Sequence, residues 1–225
     1  MFLFHARLDH GVEIAFTGSD RDLRDPDAYP ELARELGVGV VGAVHQVHGR
    51  DVVTLESTRP LRGAGLDGDL VDADAVLLDR PGAAVARAAD CVPIGIADLD
   101  APRGAVVHAG RVGLVAGVVP AAVAALRAAG ATRMRAWVGP RACGHCYEVP
   151  EAMAAEVDAM VPGTRSRTSW DTPALDIGAG VMAQLAAEGV DVVDVGGCTI
   201  EDPRHHSYRR DGEAAGRHGV VVVVR

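Results

Sequence analysis

The sequence predicts an α+β fold on three observations. Short β-branched runs bounded by turn residues dominate the first half of the chain. Alanine-rich stretches of helical period enter later. No internal repeat or low-complexity linker interrupts the 225 residues, so one layered domain over residues 1–225 is expected, long enough to bury a sizeable core.

The elements follow in chain order. Residues 12–16, VEIAF, read as a first strand, and the charged, proline-containing residues 18–30 as a loop. Residues 31–36 form a short helix. Strands are expected at 38–47 and 51–56, around His48-Gly49-Arg50, with a Gly/Asp-rich loop over 59–72. Residues 75–78 and 83–87 pair around Asp79-Arg80-Pro81-Gly82, a strong turn signal. Residues 92–97 and 105–107 form a second hairpin around DLDAPRG, residues 98–104. Residues 120–129 read as a helix with Pro120 in its first turn, and 134–138 as a strand ending at Gly139-Pro140. Residues 150–160 and 173–188 read as helices, the second with Asp171 or Thr172 as N-cap and Gly189 as its stop. Residues 190–195 and 220–224 are the closing strands.

Composition excludes several functions. A net charge of −9 argues against sequence-independent nucleic-acid binding, which needs basic surface to neutralise phosphates. All 22 Lys/Arg residues are arginine, so neither a Schiff-base lysine nor a P-loop lysine is available. Four cysteines in a chain this long do not make a disulfide framework. The start, MFLFHARLDHGVEIAF, lacks a basic n-region, and no run approaches the ~18 apolar residues of a membrane span. A reducing, cytoplasmic location is the expected default, with no membrane partner.

The chemistry concentrates at the ends of the second hairpin. Cys91 opens one strand and His108 closes the other. Counting back from the turn sets Cys91 opposite Ala109, beside His108, and cross-strand Cβ atoms lie about 4.5–5.5 Å apart. That serves a Cys/His catalytic pair or two ligands of one metal. HQVHG, residues 45–49, offers a third ligand. In a strand, His45 and His48 point to opposite faces, so one of them joins, and His48 is favoured because Gly49 opens the backbone beside it. A His₂Cys set with a free fourth position suits zinc or copper. Asp72 and Asp74 are turn formers or partners that orient a histidine. Cys143 and Cys146 form a lone CxxC between a Gly-Pro turn and Tyr-Glu-Val, which suggests a loop lining a pocket. HHSYRRD, residues 205–211, followed by Gly216-Arg217, gathers positive charge, and Arg209 and Arg210 have the fork geometry for phosphate or carboxylate.

In this order QVHG, ADCVPI, HAG, GP(x)5CYEV, Cys198-Thr199, SYRRDG and GR resemble the YfiH-like family, whose members were named laccase-domain or multicopper polyphenol oxidoreductases and are described as zinc-dependent purine nucleoside phosphorylases. The resemblance covers residues 12–225. It implies a layered α/β sandwich with mixed β-sheets and flanking helices, related to a toxin-like cysteine hydrolase architecture. It also implies Zn²⁺, with Cu²⁺ as alternative, on His48, Cys91 and His108, which act as both metal and catalytic residues. Purine nucleoside and phosphate are the implied partners, of the adenosine, inosine or methylthioadenosine class, with adenosine deaminase as a side activity, in a monomer or homodimer. Arg111, Arg209 and Arg210 are then expected on phosphate, and His145, Cys146 and Tyr147 on the purine side. Because this segment serves as a pocket wall, Cys143 and Cys146 are expected to be neither disulfide-bonded nor metal ligands. The family's HAGWRG is His108-Ala109-Gly110-Arg111-Val112-Gly113 here, its FTxRxGG is reduced to Phe16-Thr17-Gly18-Ser19, and its CCYEV begins His145-Cys146. The readings that stand beside the phosphorylase are therefore a copper polyphenol oxidoreductase, a metal-free Cys91/His108 amidase editing peptidoglycan precursors, and a catalytically degenerate metal-binding paralogue.

Overall fold

The computed structural model describes residues 2–59 and 70–225. Twelve strands are described: β1 Phe4–Arg7, β2 Val12–Phe16, β3 Val52–Thr54, β4 Ala75–Leu78, β5 Gly82–Ala88, β6 Val92–Asp98, β7 Gly104–Ala109, β8 Met134–Val138, β9 Arg165–Arg167, β10 Pro173–Leu175, β11 Asp191–Asp194 and β12 His218–Val224. The helices are α1 Ala28–Leu36, α2 Arg111–Ala116, α3 Val118–Ala128, α4 Glu151–Met160, α5 Ile177–Ala187 and the single turn α6 Tyr208–Asp211. They build a mixed six-stranded sheet of order β11-β8-β6-β7-β4-β3, an antiparallel four-stranded sheet of order β1-β2-β12-β5, and the small β10-β9 pair.

Strand periodicity sorts the side chains into layers. In β12, Val220, Val222 and Val224 face the six-stranded sheet, while Val221 and Val223 face α1. Burial on both faces explains why this strand is an unbroken valine run rather than an alternation. In β6 and β7, Val92, Ile94, Ile96, Ala105 and Val107 pack under α2, α3 and α5, whereas Ala97 and Val106 turn toward the other sheet. The result is helix, four-stranded sheet, six-stranded sheet, helices: a mixed α+β sandwich, as the sequence implied. Gly95 is needed between the sheets, since a Cβ there would stand 3.0 Å from Ile14 Cγ2 and 3.1 Å from Val220 Cγ2. Among the described residues no helix is long and apolar enough to cross a membrane.

Several elements differ from expectation. Residues 38–47 make isolated bridges at Gly42, Ala43 and His45 instead of a strand, so the strict two-residue period does not govern His45 and His48. The expected helix 173–188 begins only at Ile177: Pro173–Leu175 pairs with Arg165–Arg167, and the Asp176 carboxylate caps the helix by accepting from Ala179 N, in place of Asp171 or Thr172. β1 and α2 were not expected, and α3 starts two residues before Pro120. The hairpin turn occupies residues 99–103, so Val92 pairs with Ala109 and Pro93 with His108; Cys91 is shifted one place from the expected register. Residues 60–69 of the expected 59–72 loop lie outside the described residues.

Candidate metal centre

His108 sits in the same strand phase as Val106, on the face of the six-stranded sheet that looks toward the four-stranded sheet, and it is 4% exposed. Cys91 precedes β6 directly, after Asp90, whose φ of 84° bends the chain into the strand. His48 reaches the same spot from the 45–49 segment with φ 59°. Ligand-capable atoms of the three residues all lie within 4.8 Å of one another, and Cys91 Sγ is 3.6 Å from His48 Nε2. The two imidazoles meet edge to face, ring centres 4.8 Å apart. Zinc with Zn–S of about 2.3 Å and Zn–N of about 2.0 Å in a tetrahedron separates sulfur from nitrogen by about 3.5 Å. The donor set and its spacing therefore fit zinc with one position left open.

Asp74 organises the site. Its buried carboxylate accepts from His108 Nδ1 at 2.7 Å and from the backbone N–H groups of Val47, His48 and Gly49 at 3.2, 3.1 and 2.6 Å. These bonds hold His48 in the left-handed region, which a non-glycine residue occupies only when its surroundings enforce it. They also fix the His108 tautomer, with the proton on Nδ1 and Nε2 free to ligate. Gly110 is required at close quarters: a Cβ there would lie 2.5 Å from His48 Cδ2 and 3.1 Å from Cys91 Sγ. Asp72 plays the parallel part for His45, through a 2.7 Å contact with Nδ1.

The electrostatics favour an ionised thiol. Burial opposes it, but His108 and His48 beside the sulfur bring the Cys91 thiol down to about 6. Burial likewise opposes charge on His108, yet Cys91 and Asp74 raise it to about 9. Burial works against ionised Asp74 too, but His108 and the backbone donors hold its carboxyl below the usual range. In chelator-treated protein, alkylation of Cys91 is therefore expected to accelerate as pH rises through about 6 and to level off by neutrality. Cys143 and Cys146, pushed up by burial and by neighbouring thiols, should react slowly over that range. Peptide mapping after timed iodoacetamide pulses reads both; a Cys91 inflection near the ordinary thiol value of about 8.5 would contradict the pairing.

The three ligands open into a cavity of about 530 Å³, ample for a nucleoside. Tyr147 and Arg209 line it, with the Arg209 guanidinium 4.6 Å over the Tyr147 ring. Arg111, His145 and Cys146 do not line it, and Arg210 is engaged elsewhere: its fork binds the carbonyls of Thr199 and His205 and the Asp211 carboxylate. Sequence reasoning passed over Arg24, Arg87 and Asp90 as lining residues and gave Arg217 no specific role, yet all four line the cavity. An arginine inside the apolar run GAAVARA was the available signal for Arg87. Burial and the facing Arg24 and Arg87 lower the Arg217 guanidinium against the opposing pull of Asp22 and Cys91. Asp90 bonds Thr199 Oγ1 and Arg209 N, both at 2.6 Å, tying two loops to the residue beside Cys91. Cys143, Cys146, Cys198 and Glu201 gather in a second cluster, and all four cysteines are free.

Comparison with known proteins follows the same lines. The family model described as multi-copper polyphenol oxidoreductase laccase matches residues 11–225. The chain is 50% identical over 207 residues to purine nucleoside phosphorylase ORF3 of Streptomyces griseus, covering 89% of this chain and 79% of that one. It is 47% identical over 185 residues to a purine nucleoside phosphorylase of Streptomyces coelicolor, covering 80% and 74%. Among solved structures, YfiH of Bacillus licheniformis superposes with a TM-score of 0.82 over 95% of this chain and 93% of that one, at 18% identity. YlmD of Geobacillus stearothermophilus gives 0.81 over 100% and 98%, at 23% identity. These structural likenesses speak to the fold.

Proposed function

Since the chain belongs to the multi-copper polyphenol oxidoreductase laccase family and its close relatives carry the name purine nucleoside phosphorylase, we propose that it is a zinc-dependent purine nucleoside phosphorylase. The observation that carries this reading is the arginine lining of the cavity: Arg87, Arg209 and Arg217 line it with His48, Cys91 and His108, and Arg24, whose fork is paired with the Asp22 carboxylate, stands at its edge, in a chain of net charge −9. Such a wall selects a small dianion, and the adjoining volume takes a nucleoside of the adenosine, inosine or methylthioadenosine class.

Phosphorolysis forms a bond from a phosphate oxygen to ribose C1′ and breaks the glycosidic bond, whose electron pair leaves with the purine. The arginines bind and orient the phosphate, and the Tyr147 ring holds the Arg209 guanidinium through a cation–π contact. His45, oriented by Asp72 on the same wall, is placed to hydrogen-bond the substrate, and the departing base takes its proton from water. His48, Cys91 and His108 would hold the zinc, which would supply Lewis-acid chemistry toward oxygen.

The test is to incubate zinc-loaded protein with adenosine at graded phosphate and quantify adenine, ribose 1-phosphate and inosine. Equimolar adenine and ribose 1-phosphate, both rising with phosphate, support the proposal; inosine alongside them registers a deaminase side activity. Adenine without dependence on phosphate overturns phosphorolysis. Arg209→Ala should raise the phosphate KM roughly 10- to 150-fold, the equivalent of a charge-assisted hydrogen bond of about 1.5–3 kcal/mol, with zinc content unchanged. One observation favours a second reading: the ionised Cys91 beside His108 also suits a metal-free amidase, whose activity would survive chelation.

A further inference from the structure

We propose a second zinc site, formed by Cys143, Cys146, Cys198 and Glu201, that clips together two loops behind the cavity. It stands apart from the phosphorylase reading and rests on different residues. The three sulfurs and a Glu201 carboxylate oxygen all lie within 4.8 Å of one another. Zinc on thiolates at about 2.3 Å spaces neighbouring sulfurs by about 3.8 Å, so a closure of about 1 Å seats the ion.

The fold gives a reason for this convergence. β8 and β11 run parallel and side by side, so the loops leaving their C-terminal ends emerge together. Arg141 N donates to Gly197 O and Thr199 N to Arg141 O, locking the loops in register with Cys198 between these bonds. Cys146 N donates to Cys143 O, folding the CxxC into a turn that faces both thiols the same way. Asp202 N donates to Cys198 O, and the turn so closed brings Glu201 back toward Cys198. None of the four donors lines the cavity that holds His48, Cys91 and His108.

The donor chemistry selects the metal. Three thiolates suit zinc, copper(I) or an iron–sulfur cluster, and a carboxylate as fourth ligand favours zinc over copper(I). The sequence alone offered a single CxxC and the expectation of a metal-free wall; the third cysteine comes from a distant strand end. A metal here would act on the first site through structure. Tyr147 follows Cys146 and lines the cavity, while Thr199 follows Cys198 and holds Asp90 beside Cys91.

Cys91→Ser, which disables the first site, isolates the second. Full-length protein purified under reducing conditions and dialysed against zinc should hold about two ions per chain as wild type, about one as Cys91→Ser, and none as Cys91→Ser/Cys198→Ser. Cobalt(II) titrated into Cys91→Ser should give a thiolate-to-cobalt charge-transfer band that saturates at about one equivalent. In wild type exposed to iodoacetamide for long enough that Cys143 and Cys198 of the chelated protein are labelled, zinc should protect both thiols. This last reading holds even where the double variant fails to fold. A folded Cys91→Ser protein with no zinc and no charge-transfer band overturns the site, as does a Cys143–Cys146 disulfide in the zinc-dialysed protein or equal alkylation of Cys143 and Cys198 with and without zinc.

Discussion

Serine in place of Cys91 is expected to strip the zinc from the His48–Cys91–His108 site and abolish nucleoside phosphorolysis while leaving the fold intact. A neutral hydroxyl replaces a thiolate, and the site loses the anionic member of its ligand set. The loss in affinity should exceed the roughly 10- to 100-fold that removal of a ligand's outer partner costs. Cys91 is small and lies at a strand end, so circular dichroism and thermal unfolding of the metal-free proteins should change little. The proton balance gives a second readout. With Cys91 near 6 and His108 near 9 in the metal-free site, zinc arriving at pH 7 displaces about one proton, from His108 Nε2. Calorimetry in buffers of different ionisation enthalpy, with the second cysteine cluster silenced, should register that proton in Cys198→Ser and lose it in Cys91→Ser/Cys198→Ser. Retention of this zinc by Cys91→Ser, or full phosphorolysis without it, would contradict the assignment.

Asp74→Asn is expected to have the next largest effect, on metal affinity and on stability together. The carboxylate accepts four hydrogen bonds, from His108 Nδ1 and from the N–H groups of residues 47, 48 and 49. An amide has one oxygen, so its NH₂ must face two of these donors. If it faces His108, the imidazole shifts its proton to Nε2 and cannot ligate. If it faces Val47 and Gly49, the left-handed turn at His48 loses its anchor. Zinc affinity should fall roughly 10- to 100-fold, and the unsatisfied buried donors should cost about 1–3 kcal/mol of stability each. Zinc titration with thermal unfolding of the metal-free protein separates the two effects. An Asp74→Asn protein with wild-type affinity would remove Asp74 from its positioning role.

Some of this was legible in the sequence. Cys91 and His108 stood out because a strong turn signal fixes where two short strands reverse, and the register differs from the count by only one residue. His48 was legible from Gly49. Asp74 was visible as an acid near the histidines, but three of its four bonds go to backbone N–H groups, which leave no mark on composition. The anion wall was not legible: Arg24 comes from the loop before α1, Arg87 from β5 and Arg217 from the residue before β12, and only the folded sheets bring them together. Arg209 and Arg210 looked equivalent, yet adjacent residues in a helical turn point about 100° apart, so one faces the cavity and the other its own loop. The helix expected over 173–188 was overruled at its start, where Pro173–Leu175 found a strand partner and Asp176 a capping role.

Diffraction at the zinc absorption edge from crystals grown with zinc and soaked in phosphate addresses the first site without reliance on turnover. The expected map has an anomalous peak about 2.0–2.3 Å from His48 Nε2, Cys91 Sγ and His108 Nε2, with phosphate oxygens in contact with the Arg209 guanidinium. Fully occupied zinc elsewhere in the chain and none among these three atoms would contradict the metal centre proposed here.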